Sequence, residues 1–139
     1  MVSSMAPCAF CQIASGERDA YVLYEDAETI AFLDSDPAVQ GHTLVVPKTH
    51  REDLFLDEES STMAVLETVQ RVVRALERTV HPDGISLFYT SGDIVGRVTH
   101  AHVHLLPRYE DDDIHLSLVR DSLEEDDAVN LATRLTEHL

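Results

Sequence analysis

Basic residues are scarce in this sequence: 10 Lys and Arg stand against 26 Asp and Glu, which gives a formal net charge of −16 over 139 residues. Nucleic-acid binding depends on neutralising phosphates with Lys and Arg, so we expect no nucleic-acid partner. The acidic residues are spread through segments with apolar periodicity. We interpret this charge as an adaptation to high salt, where self-repulsion is screened and a charged surface keeps a protein soluble. The composition therefore favours a halophilic origin.

Long apolar runs are also lacking. No stretch approaches the roughly 20 apolar residues that cross a bilayer, and residues 1–7 lack the basic region and apolar core of a secretory signal. The sequence therefore predicts a soluble, cytoplasmic protein without a membrane partner. Because 139 residues suit one compact domain and no internal repeat or low-complexity linker interrupts them, we expect a single domain over 1–139.

Cysteine is almost absent, and the two cysteines, Cys8 and Cys11, are close together. In a cytosolic protein this spacing indicates a metal site or a redox pair before a structural disulfide, and two inert small residues are the remaining interpretation. A thioredoxin-type pair would follow a strand and open a helix, whereas this pair precedes the first predicted strand. A structural zinc site would need four ligands.

Apolar periodicity predicts five strands and two main helices. The strands are expected at 21–25, 29–33, 43–46, 85–89 and 98–106, the last one ended by Pro107. The helices are expected at about 58–80 and 122–137. The first helix has an apolar stripe at Leu66, Val69, Val73, Leu76 and Val80, which Val65 and Val72 widen. The second helix has one at Leu123, Leu131 and Leu135. Hairpin-length connections favour an antiparallel sheet with helices packed on it, which is an α+β fold.

Three histidines, His100, His102 and His104, alternate along the fifth predicted strand. Side chains alternate faces along a strand, so the three imidazoles lie on one face, about 6.6 Å apart. A single histidine here would be a partly buried polar side chain, but three in a row need partners. The spacing therefore predicts a functional site that contacts a phosphate or a metal.

Two chemistries compete for this site. A His-x-His pair on a strand can chelate zinc, although Leu105-Leu106-Pro107 supplies no further ligand. Alternatively, a neutral imidazole can attack phosphorus and form a covalent intermediate.

The segment His100-Ala101-His102-Val103-His104-Leu105-Leu106, with Pro107-Arg108 after it, resembles the motif of the histidine-triad family. The resemblance covers about residues 8–108. Further matching segments precede the motif in the family's order: Cys8-Ala9-Phe10-Cys11, Gly16-Glu17, Tyr24-Glu25-Asp26, Ala31-Phe32-Leu33-Asp34 and Gly41-His42-Thr43-Leu44-Val45-Val46-Pro47-Lys48-Thr49-His50.

The resemblance implies a histidine-triad fold and a role for individual residues. His102 would be the nucleophile that attacks the α-phosphorus of a nucleotide. His104 would contact the phosphate, and His42 would help with proton transfer or phosphate orientation. Asp34 would bind the ribose hydroxyls. The family then hydrolyses the nucleotidyl-histidine with water, so the resemblance implies a hydrolase or transferase that acts on nucleoside phosphoramidates or related conjugates. Dinucleoside polyphosphate hydrolysis, or nucleotide binding with little turnover, are the alternatives.

The loop before the histidine strand departs from the family's pattern, because relatives carry an Asn ahead of a glycine loop and a Gly-Gln upstream of the triad. Arg97 or Gly96 takes the place of the Gln. We expect Arg97 and Thr99 to be substrate contacts, with a solvated surface charge as the other interpretation of Arg97.

Zinc-bearing members of the family pair such cysteines with two histidines, and many members pair into homodimers. The resemblance therefore implies a structural zinc, and a homodimer for which the apolar stripe of the 58–80 helix is a candidate interface. The implied zinc ligands are Cys8, Cys11, His50 and His100.

Overall fold

Five strands and three helices make up the computed structural model, which describes residues 8–56, 60–91 and 100–139. In chain order they are α1 (Ala9–Ser15), β1 (Val22–Glu25), β2 (Thr29–Leu33), β3 (Thr43–Pro47), α2 (Ser60–Thr79), β4 (Gly84–Phe88), β5 (Val103–Arg108) and α3 (Glu125–Thr136). The predicted α+β class with its five-stranded antiparallel sheet is confirmed. The short helix α1 was not predicted.

The strands form one sheet in the order β1-β2-β3-β5-β4, with every neighbouring pair antiparallel. The histidine strand β5 thus lies between β3 and β4. The expectation that Pro107 ends this strand is wrong, since Pro107 pairs with Ile85 and the strand continues to Arg108. Proline lacks an amide donor, but its φ and its carbonyl remain compatible with extended structure.

One face of the sheet packs against α2. Side chains from the sheet and the helix form a buried apolar cluster, which includes Ala31, Val45, Leu105, Val69 and Leu76. Val69 and Leu76 are only 8% and 7% exposed, so most of the predicted stripe is used inside this chain. The suggestion that the stripe serves as a dimer interface is wrong for these residues, because the sheet already covers them.

The other face of the sheet packs against α1 through a second apolar cluster. It contains Phe10 from the helix and, from β2 and β3, Ile30, Phe32, Leu44 and Val46. The chain leaves α1 at Gly16, whose φ of 85° is in the left-handed region that favours glycine. Because α1 has only seven residues, it covers only part of this face.

The last helix, α3, buries none of its residues against the described part of the chain. Its predicted apolar residues Leu131 and Leu135 are 47% and 56% exposed, and Leu123 lies ahead of the helix. Among the described residues, no helix combines the length and the apolar character that a membrane crossing requires.

Candidate functional site

The three histidines of the motif lie on the α1 side of the sheet. The ring of Phe10 is 5.9 Å from the ring of His100 and 5.1 Å from that of His102. The rings of His102 and His104 are 4.9 Å apart. The residues between them, such as Val103, point into the α2-side core. The strand was expected from residue 98, but β5 begins at Val103, so His100 and His102 precede it. The alternation of sides nevertheless continues through them and separates the polar rings from the core residues.

The position of His102 fixes its tautomer. Its Nδ1 atom is 2.9 Å from the carbonyl oxygen of His100. A carbonyl oxygen can only accept a hydrogen bond, so Nδ1 of His102 carries the proton and donates. In the neutral ring the lone pair is therefore on Nε2, which is the atom available for attack on an electrophile.

His42 and His104 continue this arrangement as a hydrogen-bonded chain. The amide of Ala38 donates to Nδ1 of His42 at 3.0 Å, so the proton of the neutral His42 ring is on Nε2. That Nε2 is 2.9 Å from Nδ1 of His104 and donates to it. His104 is consequently left with a proton on its own Nε2. The chain therefore provides an N–H donor on the ring that lies 4.9 Å from the ring of His102.

Burial keeps both rings of this chain neutral. Burial, together with the neighbouring rings of His102 and His42, lowers the pKa of His104 to about 4, against the opposing charge of Asp34. Burial also lowers the pKa of His42, again opposed by Asp34. At physiological pH both are therefore neutral hydrogen-bonding groups.

Asp34 lies beside the histidine chain at the end of β2. Its Oδ2 is 3.4 Å from Nε2 of His42, which is longer than the contact from His42 to His104. Its Oδ1 accepts the amide of Asp36 at 2.8 Å, which orients the carboxylate. Since His42 is neutral, Asp34 is a negatively charged acceptor whose Oδ2 lacks a cationic partner among the described residues.

A cavity of about 860 Å³ joins these groups, within the range of small-molecule sites. Its polar lining includes His102, His104 and Asp34, together with Arg18, Asp19 and Ser35. Its apolar lining includes Phe10, Ile13, Phe32 and Leu44. The sequence did not predict this apolar wall. The register of the strands explains the wall. Leu44 is paired with Phe32 on one neighbouring strand and with His104 on the other, so the three side chains lie in one row on the same face of the sheet.

The cysteine pair lies on the other side of α1, next to two histidines. Cys8 caps the helix, so the pair opens a helix that the sequence did not predict. The Sγ of Cys8 is 3.3 Å from Nδ1 of His100, and the Sγ of Cys11 is 3.3 Å from Nδ1 of His50. The four ligand atoms all lie within 4.8 Å of one another. Tetrahedral zinc bonds of 2.0 to 2.3 Å place ligand atoms about 3.5 Å apart, so this cluster has suitable dimensions.

The chemistry of the cluster also fits a divalent cation. Nε2 of the fully buried His100 donates to the carbonyl of Pro47 at 2.7 Å, so the lone pair on its Nδ1 faces the cysteines. A carbonyl that orients a metal-binding histidine in this way is a common outer partner. Burial and the neighbouring Cys8 raise the pKa of the Cys11 thiol to about 11. A cation would supply the positive charge that two thiolates need.

A second group, Asp34, His42 and His104, also has its ligand atoms within 4.8 Å. Its hydrogen bonds oppose a metal there. Because Nδ1 of His42 accepts the amide of Ala38, Nε2 of His42 holds the proton and has no lone pair for a cation. Of these two clusters, the Cys/His group is the suitable metal site.

The structure thus divides the predicted residues into two neighbouring sets. His102, His104, His42 and Asp34 come together at the cavity. The implied zinc ligands form the separate Cys/His cluster. Arg97 and Thr99, the expected substrate contacts, lie outside the described residues.

Comparisons with known proteins agree with one another. A family model described as the HIT domain matches residues 15–111. The chain is 34% identical over 136 residues to the adenylylsulfatase HINT3 of Arabidopsis thaliana, which covers 95% of this chain and 69% of that protein. It superposes on a histidine triad nucleotide-binding protein from Candida albicans with a TM-score of 0.85 and 27% identity, covering 95% of this chain and 96% of the other. A Zn-bound histidine triad family protein from Mycobacterium smegmatis gives a TM-score of 0.71 with 35% identity and 94% coverage of both chains.

Proposed function

Because this chain belongs to the HIT domain family, we propose that it is a nucleotide hydrolase or transferase that uses His102 to attack the α-phosphorus of nucleoside phosphoramidates or related conjugates. The observation that carries the proposal is the bond from Nδ1 of His102 to the carbonyl of His100, since it directs the lone pair of Nε2 to the cavity side. The relatives described as nucleotide-binding and as an adenylylsulfatase support the same substrate class.

The proposed reaction has two steps. Nε2 of His102 attacks the α-phosphorus, and the bond to the leaving group breaks with its electrons remaining on the leaving nitrogen, which takes a proton from solvent. The ring then carries a positive charge, and the carbonyl of His100 stabilises its Nδ1–H. Water next attacks the phosphorus and loses a proton to solvent, while the bond from phosphorus to Nε2 breaks with its electrons returning to Nε2. The nucleotide leaves and His102 is again neutral.

In this scheme His104, His42 and Asp34 hold the substrate. Nε2–H of His104 donates to a non-bridging phosphate oxygen, and His42 fixes that proton by donating to Nδ1 of His104. The carboxylate of Asp34 accepts hydrogen bonds from the ribose hydroxyls. The apolar wall, with Phe10 and Phe32, packs against the base.

We also propose that Cys8, Cys11, His50 and His100 bind a zinc ion, as their donor set and spacing allow. The ion would be structural, because all four positions of a tetrahedral zinc would be filled by protein atoms. It would join α1 to the segment that leads into β5 and so support the position of His102. The expected homodimer, the cytoplasmic location, the halophilic origin and the single domain over 1–139 stay predictions.

The test is nucleotide release from three substrates: an adenosine phosphoramidate, a diadenosine polyphosphate and adenylyl sulfate. We expect the wild-type protein to release AMP from the phosphoramidate and His102→Ala to be slower by at least roughly a thousandfold. The matched control is His115→Ala, which removes an exposed histidine away from the cavity. Equal AMP release by wild type and His102→Ala would contradict the assignment of His102 as the nucleophile. Release from the diadenosine polyphosphate alone, or from adenylyl sulfate alone, would make that compound the substrate class in place of phosphoramidates. Binding of nucleotide without release would favour a regulator.

A further inference from the structure

Helix α1 carries residues of both sites. Cys8, as the N-cap, and Cys11 belong to the Cys/His cluster. Phe10 and Ile13 line the cavity that holds His102. The two sets alternate along one short segment, so a displacement of the helix moves a metal ligand and a cavity wall together.

The position of α1 depends on these few anchors. A helix of seven residues is too short to be stable on its own, since isolated helices below about 12 residues are marginal in water. One anchor is Phe10, which is 9% exposed and has its ring 5.6 Å from that of Phe32. The other anchor is the contact of the two cysteines with His50 and His100. Ala9, Ile13 and Ala14 also pack against the second apolar cluster, so loss of either anchor loosens the helix without releasing it.

Phe10 connects the two sites directly. Its ring is in edge contact with His100, a member of the Cys/His cluster, and with His102, the proposed nucleophile. The ring thus lies between the proposed metal site and the proposed nucleophile.

We infer that zinc binding at the Cys/His cluster and nucleotide binding in the cavity strengthen each other, and that Phe10 transmits this coupling. The inference rests on the proposed function, because it requires a nucleotide in the cavity. Zinc fixes α1 and with it the wall that packs against the base. By thermodynamic linkage, a bound nucleotide must raise the affinity for zinc by the same factor.

The experiment measures AMP binding to the full chain by calorimetry, with zinc bound and after removal of zinc with a chelator. We expect removal to weaken AMP binding at least fivefold, which is the lower end of typical couplings. The affinity for zinc, measured by competition with a chromophoric chelator, should rise by the same factor when AMP saturates the protein. Ribose 5-phosphate has no base to contact the wall, so at saturation it should leave the zinc affinity within about twofold.

Two variants locate the coupling. Phe10→Ala keeps all four proposed ligands and should still bind one equivalent of zinc, but its AMP affinity should no longer respond to zinc. Phe55→Ala, which removes a 60% exposed ring away from the cavity, should keep the full coupling. Far-UV circular dichroism of each form monitors the fold.

Each alternative result has a distinct meaning. Equal AMP affinity with and without zinc would overturn the coupling while leaving the proposed function intact. An equal rise in zinc affinity with AMP and with ribose 5-phosphate would also overturn it, since that result is general stabilisation by any ligand. Failure of AMP to bind in either state would overturn the proposed function itself.

Discussion

The Nδ1 atom of His102 lies 2.9 Å from the carbonyl oxygen of His100, two residues earlier in the chain. Through this contact the buried residue His100 orients the ring of His102, the proposed nucleophile. His100 is itself fixed, because its Nε2 donates to the carbonyl of Pro47 on the neighbouring strand. His100 thus serves both sites: its backbone carbonyl orients His102 in the cavity, and its side chain belongs to the Cys/His cluster.

The first prediction concerns the tautomers of the cavity histidines. In a long-range ¹H–¹⁵N spectrum near pH 7.5, neutral His102 should carry its proton on Nδ1, whereas His42 and His104 should carry theirs on Nε2. The reason is that His102 donates to a carbonyl, while Nδ1 of His42 accepts an amide. A His102 resonance pattern with a protonated Nε2 would contradict the assignment of the attacking atom.

The second prediction concerns His42 as a positioning residue. His42→Ala should lower kcat about 10- to 100-fold, because His104 loses the donor that fixes its Nε2–H toward the phosphate. His42→Gln keeps an amide donor and should recover part of this loss. The measurement is a set of steady-state rates with the phosphoramidate, with His138→Ala as a control at the exposed C-terminal end. Identical rates for the Ala and Gln variants would argue against the hydrogen bond as the cause.

The third prediction concerns Asp34 and the sugar. Asp34→Asn should raise KM for a ribonucleotide substrate roughly tenfold, since a charged acceptor for hydroxyl donors is lost. The same variant should barely affect a 2′,3′-dideoxy substrate, which has no hydroxyls to donate. Asp36→Asn is the matched control, because Asp36 contacts Asp34 through its backbone amide. If the dideoxy substrate suffered the same loss, Asp34 would not be the ribose ligand.

The fourth prediction concerns acid. The pKa of His104 in the folded chain is about 4, against 6.5 as its ordinary value, so the unfolded chain binds more protons between these limits. His104 therefore contributes stability that is fully present above pH 6.5 and is lost as the pH falls towards 4. The free energy of unfolding in urea should fall more steeply from pH 7 to pH 5 in wild type than in His104→Asn. If the free energy of unfolding fell with pH equally in the two proteins, the pKa of His104 would not be lower in the folded chain than in the unfolded chain.

The fifth prediction concerns salt. With a net charge of −16, the folded chain repels itself at low ionic strength. Raising KCl from 0.1 M to 2 M shortens the Debye length from about 10 Å to below 3 Å, so the thermal midpoint should rise. Differential scanning calorimetry checks this result. A midpoint that fell with added salt would contradict the halophilic interpretation.

The regular strands and the long helix were predictable because their patterns are strong. β2 has the predicted bounds, and the β-branched run at 43–46 is β3 with one more residue, Pro47. The period of α2 was predictable, but the centre of its buried face was not. Leu66, expected in the stripe itself, is 39% exposed, whereas Val65, expected only to widen the stripe, is fully buried, so the face is rotated by about one position. The sheet decides this rotation, and helical periodicity alone does not contain it.

Helix α1 was missed because seven residues offer too few apolar positions to establish a period. Its end signal was present, since Gly16 follows it, but a glycine before polar residues is equally typical of a turn. This omission also concealed the cavity wall, because Phe10 and Ile13 are on that helix. The polar residues of the candidate site were named from their motifs, whereas the apolar ones depend on contacts between distant segments.

The position of β5 in the sheet has a consequence for the order in which parts of the protein unfold. β5 is hydrogen-bonded on both sides, to β3 and to β4, and its Val103 and Leu105 are at most 2% exposed. Amides in such a strand exchange with solvent mainly through global opening, whereas short peripheral helices such as α1 open more readily. Under mild denaturant the protein should therefore lose its contacts with the base before His104, which lies in β5, is displaced. Catalytic activity would then decline first through weaker substrate binding, with β5 among the last parts of the molecule to unfold.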